Sequence, residues 1–268
     1  MSECSGAGAR LAGLEDWYGS PLGFEVGARE SACLQRMLGD VFGYYLVQVG
    51  VTDSFREALA ASRIRHRILM PCEPPRRGFG LGMVGDPTRL PLASDSVDAV
   101  LLPHTLDFVQ DPRQVLREVE RVLIPEGRAF ILGFNALSSW GLMRLLAWRR
   151  GRVPWSGRFL TAYRVEDWLS VLGFDVEVRE HIVFQLPLRR ALGRRSLEGL
   201  GRRLWPAFGA VYVIRAVKRV STLTPVKPPW PARRALVPSA IEPTAGQGYP
   251  SHAGEAGWRR WPSGPRHG

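Results

Sequence analysis

Lysine is nearly missing from this chain. Of its 36 basic residues only Lys218 and Lys227 are lysine, and the rest are arginine. Cysteine is scarce. Cys4, Cys33 and Cys72 are odd in number and scattered, which excludes a disulfide framework and a zinc-ligand pattern and favours a reducing cytoplasm. No apolar run approaches the ~18 residues that a membrane span requires. The opening residues, MSECSGAGAR, have neither a basic nor an apolar leader region, so no secretory signal is expected. There is no internal repeat. There is also no G-x-G-x-x-G after the first apolar run, which argues against a nicotinamide-dependent enzyme.

What is present suffices for a full core, with 268 residues of which 45% are hydrophobic. The net charge of +11 is unevenly placed, because residues 1–140 hold more acidic than basic side chains and the surplus lies in residues 141–268. Such a half can attract nucleic acid or a membrane surface. The arginines are interspersed with apolar residues, however, which favours a solvated basic face. Neither partner is the favoured reading.

Residues 11–40 read as a leading helical segment, with Trp17, Tyr18, Leu22 and Phe24 as anchors, helical spacing from Glu30 to Leu38, and Gly39 or Gly43 as the stop. Tyr44–Val51 is a buried strand by composition. Gly50 follows it in a strand-to-helix turn, and Ser54–Arg63 is helical with Asp53 or Ser54 as cap. Arg67–Met70 is a second strand, with Glu73 just past it, and Phe79–Val84 a short third. Asp86 and Pro87 follow. Val97–Leu102 is a buried strand that runs into Pro103, His104 and Asp107. Asp111, with Pro112 at the first helical position, caps a helix whose face is Val115, Leu116, Val119, Val122 and Leu123. Pro125-Glu126-Gly127 forms a turn in which Gly127 fits a positive φ, and Ala129–Phe134 is the next strand.

Further on, Ser138–Arg152 is an apolar–basic helix, suited to covering the site, to a membrane surface, or to an ordinary exposed face. Arg164–Leu172 is helical up to Gly173. Phe174–Phe184 alternates as a strand, Ser196–Leu204 is a short basic helix, and Ala210–Ala216 is the last strand. From about Ser221 the composition turns to proline and glycine, as in a disordered tail. The expected layout is an N-terminal helical segment (1–43), an α/β domain (44–220, with 136–165 as a helical cover) and a tail (221–268).

Two segments carry a family resemblance. GDPTRLPLASDSVDAVLLPHTLDFV and DPRQVLREVERVLIPEGRAFILGF are similar to the acidic loop, strand, helix, Leu-x-Pro-x-Gly turn and strand of class I S-adenosylmethionine-dependent methyltransferases, specifically the type 11 methyltransferase domain. The resemblance extends more weakly from Leu46 to Val217. It implies a Rossmann-like, mostly parallel seven-stranded sheet flanked by helices, with an antiparallel last strand. It also implies S-adenosylmethionine as cofactor and a small-molecule acceptor.

By the same resemblance Asp86 takes the adenine amine, with Pro87 beside it. Leu102, Pro103 and His104 flank the methionine moiety. Gly50 is what stands of the glycine-rich first motif, with Thr52 at the second glycine position, and Glu73 is the candidate for the ribose hydroxyls. His104 and Asp107 are the candidate catalytic groups. No metal is expected. The implied activity is methyl transfer to a small or amphipathic acceptor in the cytoplasm. The alternative is a non-catalytic binding or regulatory protein that uses the basic C-terminal half.

Overall fold

The apolar runs at 44–51 and 97–102 become two parallel strands side by side, and the remaining elements are arranged about them. The computed structural model describes residues 2–74, 82–147, 153–184 and 208–219. In chain order the elements are α1 (Ser2–Tyr18), α2 (Pro21–Leu38), β1 (Tyr45–Val49), a 3-10 turn (Asp53–Phe55), α3 (Arg56–Ala60), β2 (His66–Met70), β3 (Val97–Pro103), α4 (Thr105–Phe108), α5 (Pro112–Val122), β4 (Leu123–Phe134), α6 (Ser139–Ala147), α7 (Ala162–Val171), β5 (Phe174–Ile182) and β6 (Val211–Lys218).

The strand order is β2-β1-β3-β4-β6-β5. β2, β1, β3 and β4 are mutually parallel, whereas β6 runs against both of its neighbours. This is the α/β sheet with an antiparallel last strand that the sequence predicts. The count differs, because the described residues form six strands, not seven. The third strand expected at Phe79–Val84 has its first half outside the described residues. Its end pairs with the sheet through a single parallel bridge, Leu69 to Gly82.

Alternation along the strands divides the core between the two faces of the sheet. Leu46, Leu101, Phe130 and Leu132 pack against α1 and α2. Val47, Val100, Ile131 and Tyr212 pack against α5 and α7. The predicted α5 face is fully buried at Val115, Leu116, Val119 and Val122. The Asp111 carboxylate accepts from the backbone N–H groups of Arg113 (3.0 Å) and Gln114 (3.1 Å), as a cap should. Replacing Asp111 with alanine is expected to cost about 1 kcal/mol, read as a shift of the urea midpoint at unchanged slope.

Three sequence expectations need correction. The leading helical segment is a pair of helices broken at Gly19–Ser20, where Ser20 Oγ accepts from Gly23 N–H (3.1 Å) and Pro21 begins α2. The helix after β1 is shorter than Ser54–Arg63, and neither Asp53 nor Ser54 caps it. Pro125–Gly127 lies within β4, where its pairing with β3 shifts register, rather than in a turn before it, and the positive φ there belongs to Glu126 (64°), not to Gly127. Gly127 is required for close approach instead, since a Cβ there would lie 2.8 Å from the Ile124 carbonyl oxygen. Finally, α6 is described only from Ser139 to Ala147. The expected arginine-rich continuation to Arg152, the Ser196–Leu204 helix and the 221–268 tail lie outside the described residues.

Candidate active site

The chain leaves β1 for β2 on one side and returns to β3 on the other. The crevice at the carboxyl ends of β1 and β3 is therefore the point where an open α/β sheet receives a ligand. Gly50 ends β1 with φ at 97°, and its N–H donates to Met70 O (3.0 Å). The Thr105 hydroxyl donates to Val49 O (2.6 Å) and ties the β1 turn to the β3 loop. Below the turn, the buried Gln48 amide donates to Thr52 O (3.3 Å) and to Val51 O.

The N–H groups after that turn are taken by a residue of the first helix. Glu15, on α1, accepts from Asp53 N–H (2.8 Å), from Thr52 N–H and from the Ser54 hydroxyl (2.8 Å). This is why no local side chain caps the helix. Asp53 turns away to pair with Arg56 (2.8 Å). Glu73, beyond β2, lies against α1 at Gly8, where a Cβ would come within 2.5 Å of its Cγ. Gly85 N–H donates to Pro71 O (3.1 Å), which places Asp86 past the carboxyl end of β2. Asp86 Oδ1 accepts from the N–H (2.8 Å) and hydroxyl (2.7 Å) of Thr88, and Pro87 beside it is buried.

The β3 loop contains the strongest electrostatic feature. Leu102 and Pro103 are buried, and His104 turns into the left-handed region (φ 55°, ψ 10°). That conformation costs a non-glycine residue about 1–2 kcal/mol, and surrounding contacts hold it. The His104 ring is fully buried between two carboxylates. Its Nε2 faces Glu30 Oε1 (3.0 Å) and its Nδ1 faces Asp107 Oδ2 (3.0 Å). Tyr18 donates its hydroxyl to Glu30 Oε2 (2.7 Å), and Asp107 Oδ2 also accepts from Phe134 N–H (2.9 Å). Asp107 Oδ1 is buried with no hydrogen-bond partner among the described residues.

Burial alone would lower the His104 pKa. The Glu30 charge and the hydrogen bonds to both carboxylates outweigh it, and the imidazole is pushed up to about 9. Burial raises the Asp107 pKa, with its bonds and attraction to His104 opposing. Burial, then Glu30, raises Tyr18 well above its ordinary value. Aromatic rings close around this cluster. Phe134 lies 4.0 Å from the His104 ring and 5.0 Å from Phe159, and Trp17 meets Trp140 edge-on at 6.1 Å.

Gly50, Leu102, Pro103, His104 and Asp107 therefore converge at the switch point, and Glu73 and Asp86 stand at the neighbouring strand end. Sequence reading missed Glu15, Tyr18 and Glu30, which come from the two N-terminal helices. The available signal was Glu30 itself, an acidic residue in line with Val26, Cys33, Leu34 and Met37 on the buried face of α2.

A protein-family model described as a methyltransferase domain matches residues 34–131. The uncharacterized protein YafS of Escherichia coli is 35% identical over 186 residues, covering 69% of this chain and 72% of that protein. A demethylmenaquinone methyltransferase of Mycolicibacterium paratuberculosis is 42% identical over 57 residues, 21% of this chain and 25% of its own. Among solved structures, a Thermotoga maritima protein described as an S-adenosylmethionine-dependent methyltransferase, possible histamine N-methyltransferase, superposes with a TM-score of 0.57 at 23% identity. That superposition covers 76% of this chain and 94% of the other, and shows a shared fold.

Proposed function

This chain belongs to the class I S-adenosylmethionine-dependent methyltransferases, and on that premise we propose that it methylates a small or amphipathic acceptor at the β1–β3 switch point. The observation that carries this reading is the Glu30–His104–Asp107 cluster, buried against aromatic rings at the end of β3. S-Adenosylmethionine, the family's cofactor, supplies a methyl group already activated by its positive sulfur. The protein is left to align the acceptor and to take up any proton it loses.

The residues at the crevice fit such a cofactor by chemical type. Thr52 N–H, Asp53 N–H and the Ser54 hydroxyl are donors for a carboxylate, as their bonds to Glu15 demonstrate. Glu73 and Asp86 offer acceptors for ribose hydroxyls and the adenine amine. Gly50, Leu102, Pro103 and His104 form the floor between them. An imidazolium flanked by two carboxylates carries one net negative charge, so uptake of one proton brings the cluster to neutrality. With His104 already protonated, Asp107, whose pKa burial raises, takes up that proton, while His104 holds its own against the carboxylates and Glu30 positions the imidazole. The rings of Trp17, Phe134, Trp140 and Phe159 suit an acceptor with an apolar body. The acceptor named for the demethylmenaquinone relative is of that kind. The membrane-surface reading of the arginine-bearing helix gains no support at Arg144, whose Nε is spent on Gly157 O (2.7 Å). No helix among the described residues is long and apolar enough to cross a membrane. A cytoplasmic location accords with buried Cys33 and Cys72, neither of which is in a disulfide.

Calorimetry with S-adenosylmethionine and its demethylated product tests the cofactor, and transfer of labelled methyl to a cell extract tests the reaction. Asp86→Ala is expected to weaken cofactor binding by about 1–3 kcal/mol, through loss of one buried hydrogen bond. Failure of the intact chain to bind at millimolar ligand would leave the non-catalytic reading in its place.

A further inference from the structure

Helix α1 covers the candidate cofactor crevice at three separate points. Its buried stripe is Ala7, Leu11, Leu14 and Tyr18, spaced as one helical face. Leu11 reaches the β1 turn, its Cδ1 lying 3.6 Å from where a Cβ on Gly50 would stand. Gly8 lets the Glu73 side chain lie against the helix backbone. Between them Glu15 takes two backbone N–H groups and one hydroxyl from Thr52, Asp53 and Ser54. A carboxylate bound to three donors is a strong arrangement, and those donors can serve one carboxylate at a time. The turn is held ready for it from below. Gln48 draws the carbonyls of Val51 and Thr52 inward, and its own Oε1 is buried without a partner among the described residues.

We propose that α1 is a displaceable lid whose Glu15 carboxylate occupies, in the cofactor-free chain, the donors that the carboxylate of the cofactor takes when it binds. This rests on the reading that the cofactor lies over the Gly50–Ser54 turn. Ligand entry then requires Glu15 to leave Thr52, Asp53 and Ser54 and α1 to lift from Gly50 and Glu73. The lid lowers apparent affinity by the fraction of time it is closed. Tyr18 closes the same helix and donates to Glu30, so lifting α1 also opens one side of the His104 cluster. Access of cofactor and exposure of the proton-holding groups are thereby coupled through one element.

The test uses the full chain and S-adenosylhomocysteine as the probe, read by calorimetry and by amide hydrogen exchange of residues 7–18. Glu15→Ala is expected to bind the probe about tenfold more tightly than the parent chain. In the parent chain, saturating probe is expected to speed exchange in α1 by a similar factor. Binding by the variant when the parent shows none at millimolar probe also supports the lid, and restores the cofactor reading that the parent's failure alone would set aside. Equal or weaker binding in Glu15→Ala overturns the lid while leaving the cofactor reading intact, since Glu15 is then a bystander or a contact of the bound ligand. Slower or unchanged exchange in α1 overturns it equally, and that measurement stands even if Glu15→Ala fails to fold. Absence of binding to both chains overturns the cofactor reading and the lid with it.

Discussion

Glu30→Leu is expected to destabilise the fold by about 3–5 kcal/mol, because it leaves one member of a buried charge cluster without its partner. Glu30 is fully buried and serves two groups at once, the Tyr18 hydroxyl (2.7 Å) and His104 Nε2 (3.0 Å). Leucine has nearly the right volume, so the loss is not one of packing. It comes from a phenol and an imidazole N–H stranded among Phe134, Phe55 and Trp17. Glu30→Gln keeps an acceptor oxygen and is expected to cost less than half as much. Tyr18→Phe removes a single hydrogen bond and is expected to cost about 1 kcal/mol. Urea midpoints measured at constant slope separate the three. Equal small losses in all of them would mean that the cluster does not form as described.

The region from β3 to β4 was legible because every local signal in it agrees. Asp111 and Pro112 open a helix, Val115, Leu116, Val119 and Val122 face one way, and near-continuous apolar strands flank it. His104 and Asp107 could be placed for the same reason, since both follow directly from the end of β3. The cluster that gives them meaning could not. Glu30 is 74 positions from His104, and Glu15 is 37 and 38 from the N–H groups it caps at Thr52 and Asp53. Neither spacing leaves a periodic mark. The missing cap at Asp53 and Ser54 is instructive in this respect. The donors existed as expected, but a tertiary carboxylate took them in preference to a local one. Gly127 shows a subtler limit. A glycine in a turn suggests positive φ, yet here it is the neighbouring Asp98 carbonyl oxygen (3.2 Å from a would-be Cβ) and that of Ile124 that exclude a side chain.

Raising the pH from 6 to 10 is expected to remove about 3 kcal/mol of stability, most of it between pH 6.5 and 9. His104 titrates near 6.5 in an unfolded chain and at about 9 in the fold. Below 6.5 both states hold the proton, and the stabilising pairing with Glu30 and Asp107 is fully present. Between the two values the folded chain retains a proton that the unfolded chain has released, so stability falls as pH rises and is gone above 9. Asp107 acts in the same direction, because its raised pKa means that the fold penalises its ionised form. Tyr18 and Tyr212, both raised by burial, extend the decline above pH 10. Urea midpoints at pH 6, 8 and 10 measure the slope, and the His104 ring-proton resonance reports its own titration. In Glu30→Gln the carboxylate charge that most raises His104 is absent, so its midpoint is expected to drop toward or below the ordinary histidine value and the alkaline slope to shrink with it. A slope unchanged by that substitution would assign the pH dependence to a group other than His104.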